Sequence, residues 1–162
     1  MNYVINNNSN ENKLKIRKRD IYKDSDYDWV IKLSQRLKRT FIKFCKKHNL
    51  KSQKHYKIDW LIVAINLGQC PGNKTRKWNI DHIDPISSFN LKFDEQVVKC
   101  WHYNNLCWLP RIINHDKSDQ INWSPEKVPK DIMSKLTKEE IQYLKEIKHK
   151  YEQKKEANSY EF

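Results

Sequence analysis

Glycine and long apolar runs are scarce in this sequence. It contains two glycines and five prolines among 162 residues, which argues against an all-β barrel built on many tight turns. No stretch of about 18 apolar residues occurs, so no transmembrane helix is predicted. The polar start MNYVINNNSNENKLK also lacks the apolar core of a signal peptide. We therefore expect an intracellular protein that does not contact a membrane.

Closely spaced cysteines are absent as well. The four cysteines, at Cys45, Cys70, Cys100 and Cys107, form no Cys-x-x-Cys pair, and an intracellular location disfavours disulfides. His102 follows close behind Cys100, so a structural metal site of cysteines and histidines stays open as an alternative. The simpler expectation is that these cysteines are buried, reduced thiols.

Positive charge is what the chain has in excess. It carries 32 lysines and arginines against 20 aspartates and glutamates, a formal net charge of +12. A polyanion binder needs this excess, because basic side chains that neutralise phosphates release counterions. Codon drift in an AT-rich genome would also enrich lysine, asparagine and isoleucine. Charge alone thus favours nucleic-acid binding without establishing it.

The chain divides by composition into four segments. Residues 1–24 form a polar, basic arm that we expect to be flexible, and residues 25–77 form a helical N-terminal region. Residues 78–119 form a central block that carries the motifs described below. Residues 120–162 form an extension with a helix over about 137–153. A hydrophobic content of 38% supports one modest core, and no internal repeat is visible.

Helical periodicity dominates the N-terminal region. Between Asp28 and Asn49, apolar or aromatic residues recur every three or four positions, at Val30, Leu33, Leu37, Phe41, Phe44 and His48. Basic residues make a second stripe at the same period, at Lys32, Arg36, Arg39, Lys43 and Lys46. That stripe fits a solvated face and a phosphate contact equally well. A second helix is predicted from near His55 to Leu67, with Gly68 as its C-cap.

The central block reads as two short strands followed by a helix. WNIDHI and Asn105–Leu109 are the predicted strands, and Pro110 opens a helix across RIINHDKSD. Further along, Thr137 and Glu140 form a capping box at the start of the last helix. Strands and helices together predict an α+β protein.

Three motifs in the central block resemble those of a known family. WNIDHIDPISSF, HYNNLCWLP and NHDKS occur in this order, and the chain resembles the HNH endonucleases over residues 78–119. The resemblance implies a mostly helical chain around a ββα-metal (His-Me finger) core with a short two-stranded hairpin. It implies a hydrolase that cuts DNA phosphodiester bonds.

The resemblance also implies roles for four residues. His82 would be the general base that takes a proton from water. Asp81 and Asn114 would hold one divalent metal ion, Mg²⁺ or Mn²⁺. Asn105 would fix the loop and the histidine, and it is preferred to Asn104 because Leu106 follows it directly. Many family members have histidine at the position of Asn114, which keeps the adjacent His115 as a rival ligand.

Basic residues near the motifs are candidates for DNA contact. Lys117 and Arg111 could hold a phosphate at the site. Lys74, Arg76 and Lys77 lie in the loop before the first strand and could contact the duplex. Cutting both strands would need a homodimer or two successive events, since one such site handles one strand at a time.

Strand geometry complicates the central pair. Neighbouring side chains on a strand point to opposite faces, so Asp81 and His82 share a cavity only where the strand ends or twists. Pro85 is consistent with such an ending. The sequence assigns no catalytic role to Asp84, for which we expect a turn or loop role and not a ligand role. We expect His102 to pack or to hydrogen-bond, with a substrate contact as the alternative.

Two further expectations concern the kind of protein. A non-catalytic nucleic-acid-binding module on an HNH scaffold is the main alternative to an enzyme. If the chain is an enzyme, a small nuclease with an AT-biased sequence is typical of a homing endonuclease or of another phage or virus product, an expectation that rests on analogy.

Overall fold

The structure is a computed structural model that describes residues 27–72 and 77–159, with side chains described up to residue 153. The predicted arm at residues 1–24 lies outside this part. Within it, six α-helices and one two-stranded antiparallel sheet follow one another. They are α1 Asp28–Lys47, α2 Trp60–Leu67, β1 Trp78–His82, α3 Asp94–Cys100, β2 Leu106–Pro110, α4 Arg111–Lys117, α5 Lys130–Met133 and α6 Lys138–Ser159. The predicted α+β class is confirmed.

Helix α1 follows the predicted periodicity. Its apolar stripe is buried at Val30, Leu33, Leu37, Phe41 and Phe44. The residues of the basic stripe, at Lys32, Arg36, Arg39, Lys43 and Lys46, are exposed. The three- and four-residue spacing places the two stripes on different sides of one helix. Helix α1 therefore forms a wall of the core and presents a basic surface outward.

Helix α2 is shorter than predicted. It begins at Trp60 and not near His55, so the predicted start is wrong. The Asp59 carboxylate accepts hydrogen bonds from the backbone N–H groups of Leu61 and Ile62, at 3.0 and 3.3 Å. An aspartate in this N-cap position satisfies donors that lack partners within the helix, which defines where the helix starts.

The two glycines both serve the packing around this helix and the first strand. Gly68 ends α2 with a φ of 77°, a conformation that side chains disfavour. Its carbonyl accepts a hydrogen bond of 3.0 Å from the Trp108 indole. At Gly72, a Cβ atom would lie 2.3 Å from the Trp78 indole nitrogen, so a side chain does not fit there.

The sheet separates two hydrophobic clusters. Strands β1 and β2 pair from Trp78 with Pro110 to His82 with Leu106. Alternate residues of β2 enter different clusters, because successive side chains of a strand point to opposite faces. The first cluster holds the buried residues of α1 and α2 together with Val97, Cys100, Trp101, Leu106 and Trp108. The second holds Ile83, Cys107, Leu109, Ile113, Trp123, Val128, Leu144, Ile147 and Tyr151.

The capping box of the last helix is confirmed. The Thr137 N–H donates to the Glu140 carboxylate at 2.9 Å, and the Glu140 N–H donates to the Thr137 hydroxyl at 3.2 Å. The helix continues to Ser159, so its predicted end near residue 153 is wrong. None of the described helices is long and apolar enough to cross a membrane.

Phe41 provides a test of the first cluster. Its fully buried ring lies 5.5 Å from Tyr56, 5.2 Å from Trp60 and 5.1 Å from Trp101, between ring centroids. We expect Phe41→Ala to lower the free energy of unfolding by about 3–5 kcal/mol, because it leaves a cavity among these rings. Urea unfolding measures this loss. Phe93→Ala is the matched control, since Phe93 is 54% exposed; equal losses in both variants would contradict the packing.

Candidate functional site

The end of β1 carries the acid and the histidine of the motif on opposite faces. Asp81 pairs in register with Cys107, and His82 pairs with Leu106. Cys107 belongs to the second cluster and Leu106 to the first. The strand does not twist enough to bring both side chains to one side. Each of them therefore has its own set of neighbours.

Asp81 faces helix α4 and contacts Lys117. The Lys117 side chain is fully buried, and its ammonium donates to Oδ2 of Asp81 and to the backbone carbonyl of His82. The same ammonium lies 5.9 Å from the Trp123 ring centroid and 6.0 Å from that of Tyr151. These are cation–π distances. The last residue of α4 is thus joined to the end of β1 inside an aromatic enclosure.

The Asp81 carboxylate is in an environment that favours a cation beside it. Its side chain is 15% exposed. Burial raises the pKa of the Asp81 carboxyl, and the Lys117 ammonium opposes that rise. A carboxylate removed from water needs a compensating positive charge to remain ionised. Lys117 supplies that charge in this structure.

His82 faces the first cluster. Its ring lies edge-on to the Trp101 ring, with 4.9 Å between centroids. Trp101 in turn packs against Phe41 and Phe44 of α1, at 5.1 and 5.3 Å. The imidazole is half-buried. Helix α1 therefore supports His82 through a single tryptophan, a contact that the sequence analysis did not identify.

Asn105 fixes the loop that follows β1. Its buried amide donates to the carbonyls of Cys100 and Asp84, at 2.9 and 3.3 Å, and its Oδ1 accepts from the Asp84 N–H at 2.9 Å. Its own carbonyl accepts from the Ile83 N–H at 2.8 Å. Asn104 is exposed. Of the two asparagines, Asn105 is the one that holds the chain beyond His82 in place.

Asn114 and His115 lie on α4, one turn before Lys117. Residues three apart on a helix are neighbours, so the half-buried Asn114 lies beside the Lys117 stem. Within the described residues, no hydrogen bond joins Asn114 to Asp81. His115 is exposed. The structure thus brings Lys117, and not Asn114, into direct contact with the candidate metal-binding carboxylate.

Two other candidate DNA-binding residues are at the surface. Lys77 and Arg111 are exposed and line one cleft together with His115. Lys74 and Arg76 lie outside the described residues. Lys117 is the exception, because its buried ammonium is directed at Asp81 and not at the surface where a phosphate would bind. Its predicted phosphate contact stays a prediction, and this arrangement does not provide it.

A second cleft contains the residues that the sequence left without a catalytic role. Asp84 and His102 line a polar cleft of ≈ 450 Å³ with Asn105, beside the loop that follows β1. The His102 Nδ1 accepts a hydrogen bond of 3.3 Å from the Asn104 N–H. If His102 is neutral, its proton is therefore on Nε2.

A divalent cation at Asp81 would have to displace the Lys117 ammonium that the carboxylate contacts in this structure. A carboxylate on β1 and an amide on α4 are the oxygen ligands that Mg²⁺ prefers, and water completes such sites. Among the described residues, no group of three or more histidines, cysteines, aspartates and glutamates converges on one point. A zinc site of cysteines and histidines therefore has no ligand cluster in this part of the chain. A magnesium site that uses one carboxylate, an amide and water does not require a cluster of three such residues.

Comparisons with known proteins give two distant relatives. Both are uncharacterized proteins of Acanthamoeba polyphaga mimivirus. One is 29% identical over 79 residues, 49% of this chain and 35% of the relative. The other is 26% identical over 94 residues, 58% of this chain and 40% of the relative. The chain thus matches less than half the length of either protein. No family model matches it, and no solved structure matches it significantly.

Asn105 allows a direct test of the loop. We expect Asn105→Ala to lower the free energy of unfolding by about 2–4 kcal/mol, because it leaves buried backbone groups of Asp84 and Cys100 without their partner. Asn104→Ala, one position away and exposed, should change it by less than about 0.5 kcal/mol. Chemical denaturation of both variants measures the difference. A similar effect at the two positions would argue against the described role of Asn105.

Alkaline pH tests the burial of the second cluster. Burial raises the pKa of the Cys107 thiol to about 12 and raises those of the Tyr143 and Tyr151 hydroxyls. These groups are neutral in both states below about pH 7.5. Above it the unfolded chain loses protons that the folded chain retains, first from the thiol and then, above about pH 9, from the tyrosine hydroxyls. The free energy of unfolding should therefore fall as pH rises from about 8 towards 12.

Variants isolate the contribution of Cys107. When the pH rises from about 8 to about 10.5, the free energy of unfolding should fall by about 1–2 kcal/mol less in Cys107→Ala than in the unmodified chain. Urea titrations at the two pH values measure how far the free energy of unfolding falls in each protein. The comparison holds whatever the variant's stability at neutral pH. Cys70→Ala is the control, because Cys70 is only half-buried. An identical fall for Cys107→Ala and the unmodified chain would show that this thiol is not buried.

Proposed function

We propose that this chain is a metal-dependent endonuclease of the HNH type that hydrolyses phosphodiester bonds in duplex DNA. One observation carries the proposal. The antiparallel pair of β1 and β2 leads directly into α4, with Asp81 and His82 at the end of β1 and Asn114 on the helix. The quoted motifs have the same order, and the net charge of +12 suits a polyanionic substrate.

The residues would divide the chemistry between the two faces of β1. The scissile phosphate would lie beyond the end of the strand, because groups on both faces can reach it only there. His82 would take a proton from the attacking water as its oxygen bonds to phosphorus, the bond from phosphorus to the 3′ oxygen would break, and that oxygen would take a proton from solvent water. Asp81 and Asn114 would hold Mg²⁺ or Mn²⁺, which would neutralise charge on the phosphate and on the departing oxygen. Asn105 would keep the loop beyond His82 rigid.

Lys117 has a defined part in this proposal. In the structure its ammonium neutralises Asp81. For Asp81 to bind a divalent ion, the ammonium would move along its flexible stem towards the developing charge of the phosphate. The predicted phosphate contact of Lys117 would then arise only when the metal site is filled.

The biological setting is a proposal as well. Both relatives are mimivirus proteins, which supports a viral or mobile-element origin. An intracellular enzyme of the homing type is consistent with that origin. Two copies acting as a homodimer would account for cutting of both strands.

One observation favours the non-catalytic alternative. Lys117 already satisfies the charge of Asp81, so the site is stable without any further cation. A nucleic-acid-binding module that keeps the ββα arrangement as a scaffold would show the same pair. In that case Asp81→Ala and Asn114→Ala would alter stability but produce no change in a DNA cleavage assay.

Nicking of supercoiled plasmid tests the proposed activity. We expect the unmodified protein to nick plasmid with Mg²⁺ or Mn²⁺ and to stop when EDTA is added. His82→Ala should reduce the nicking rate by about 10²- to 10⁴-fold, the usual contribution of a general base. The rates are measured by gel electrophoresis of the relaxed form.

The matched control for this assay is His149→Ala, which removes an exposed histidine from α6. It should leave the rate unchanged. Circular dichroism should show that all proteins compared are folded. The chain is not this kind of nuclease if the unmodified protein is folded and supplied with metal but leaves the plasmid supercoiled. The same conclusion follows if His82→Ala nicks as fast as the His149→Ala control.

A further inference from the structure

Half of the net charge of the chain is concentrated in helix α1. The 20 residues of α1 carry seven basic side chains and one carboxylate, which is +6 of the total of +12. Helix α6, with 22 residues, carries six basic and five acidic side chains. Codon drift alone would enrich lysine in both helices without removing the acids from one. The charge of α1 therefore calls for an explanation of its own.

Four of these cations form one row on the outside of the helix. They are separated by three or four residues and are all exposed, at Arg36, Arg39, Lys43 and Lys46. With Thr40 and Ile42 they line a shallow groove of ≈ 470 Å³. At a rise of about 1.5 Å per residue the row is about 15 Å long. We call this row the basic face of α1.

Within residues 27–72 and 77–153, no carboxylate forms an ion pair with the basic face. Lys32, at the start of the helix, pairs with Asp28 one turn earlier. Among the described residues, no ion pair links any member of the basic face to an acid, whereas on α6 Lys148 pairs with both Glu126 and Glu152. In the part of the chain that the structure describes, the face is therefore a line of positive charge without a carboxylate partner.

The buried side of α1 excludes insertion of the helix into a membrane. Val30, Leu37 and Phe41 are at most 1% exposed, so the helix has no apolar side left to enter a bilayer. An amphipathic membrane anchor needs that side to be available. The exposed row suits an extended anion that binds from solvent. Duplex DNA fits, with one negative charge per about 1.7 Å of its axis.

The basic face is rigidly connected to the candidate site. The Arg36 guanidinium carbon lies 5.6 Å from the ring centroid of Trp108, which is on β2. On the buried side of the helix, Phe41 contacts Trp101, and Trp101 contacts His82. DNA held by this helix would thus be held at a constant distance from the end of β1.

We propose that the basic face of α1 binds the phosphate backbone of duplex DNA and positions it for the site at the end of β1. The choice of DNA rests on the proposed function. The contact itself rests on the charge, exposure and row geometry of α1. It gives affinity and orientation without reading the base sequence, because phosphates carry no sequence information directly.

Binding to duplex DNA in EDTA tests the proposal without cleavage. The variant R36Q/R39Q/K43Q removes three charges from the basic face. The control K130Q/K138Q/K145Q removes three charges from exposed positions on α5 and α6. Fluorescence anisotropy with a labelled duplex of about 20 base pairs gives Kd between about 50 and 200 mM salt. Thermal melts confirm that both variants are folded.

The α1 variant should bind at least about tenfold more weakly than the unmodified chain near 100 mM salt. Its plot of log K against log salt should be shallower by about 2–3 units, since each lost phosphate contact removes about 0.9. The control should retain most of both quantities. Equal losses in the two variants would mean that only net charge matters, and the proposal would be wrong.

Other outcomes separate this proposal from the proposed function. If the unmodified protein nicks plasmid but the α1 variant binds the duplex normally, the basic face is not the DNA contact and the nuclease proposal stands. If nicking never occurs but the α1 variant loses duplex binding, the nuclease proposal fails and this one stands. Failure of the unmodified protein to bind a duplex would overturn the proposal for the basic face. So would a parallel measurement with single-stranded RNA in which the α1 variant loses binding to the RNA but not to the duplex.

Discussion

The buried contact between Lys117 and Asp81 is the interaction on which the centre of the molecule depends. An ammonium removed from water is costly unless charge and hydrogen bonds compensate it. Here the Asp81 carboxylate, the His82 carbonyl and the faces of Trp123 and Tyr151 do so. These partners come from β1, the segment after α4, and α6. Loss of one charged partner of a buried pair costs about 3–5 kcal/mol, so these three elements hold their positions together.

The opposite face of β1 is held by uncharged contacts. Trp101 lies against His82, and the Asn105 amide bonds the backbone of the next loop. Asp81 and His82 are thus adjacent in sequence but supported by different clusters. A carboxylate and an imidazole thus lie near one point, on opposite faces of the strand, without contacting each other. Asp81 contacts Lys117, and His82 contacts Trp101.

Features set by local chemistry could be predicted from the sequence, and features set by tertiary packing could not. The stripes of α1, the Thr137 capping box and the two strands follow from periodicity and hydrogen bonding within a few residues. The burial of Lys117 does not, because lysine is almost always at the surface unless a distant carboxylate pairs with it. The sequence predicts the start of α2 too early, because the pattern looks continuous from His55 although the Asp59 cap begins the helix at Trp60. The contact of Trp101 with His82 joins residues that only the folded chain brings together.

The enclosure of Lys117 also decides whether residues 78–119 would keep their contacts outside this chain. The recognisable motifs end before residue 120, yet two of the rings around the ammonium, Trp123 and Tyr151, come from beyond it. A transplanted block of residues 78–119 would carry every motif residue and still leave its lysine open to water and its carboxylate without a settled partner. Residues 78–119 therefore depend on residues outside this block. A substitution at Trp123 or Tyr151 would thus change the surroundings of the Asp81 carboxylate, although both residues lie beyond the motifs.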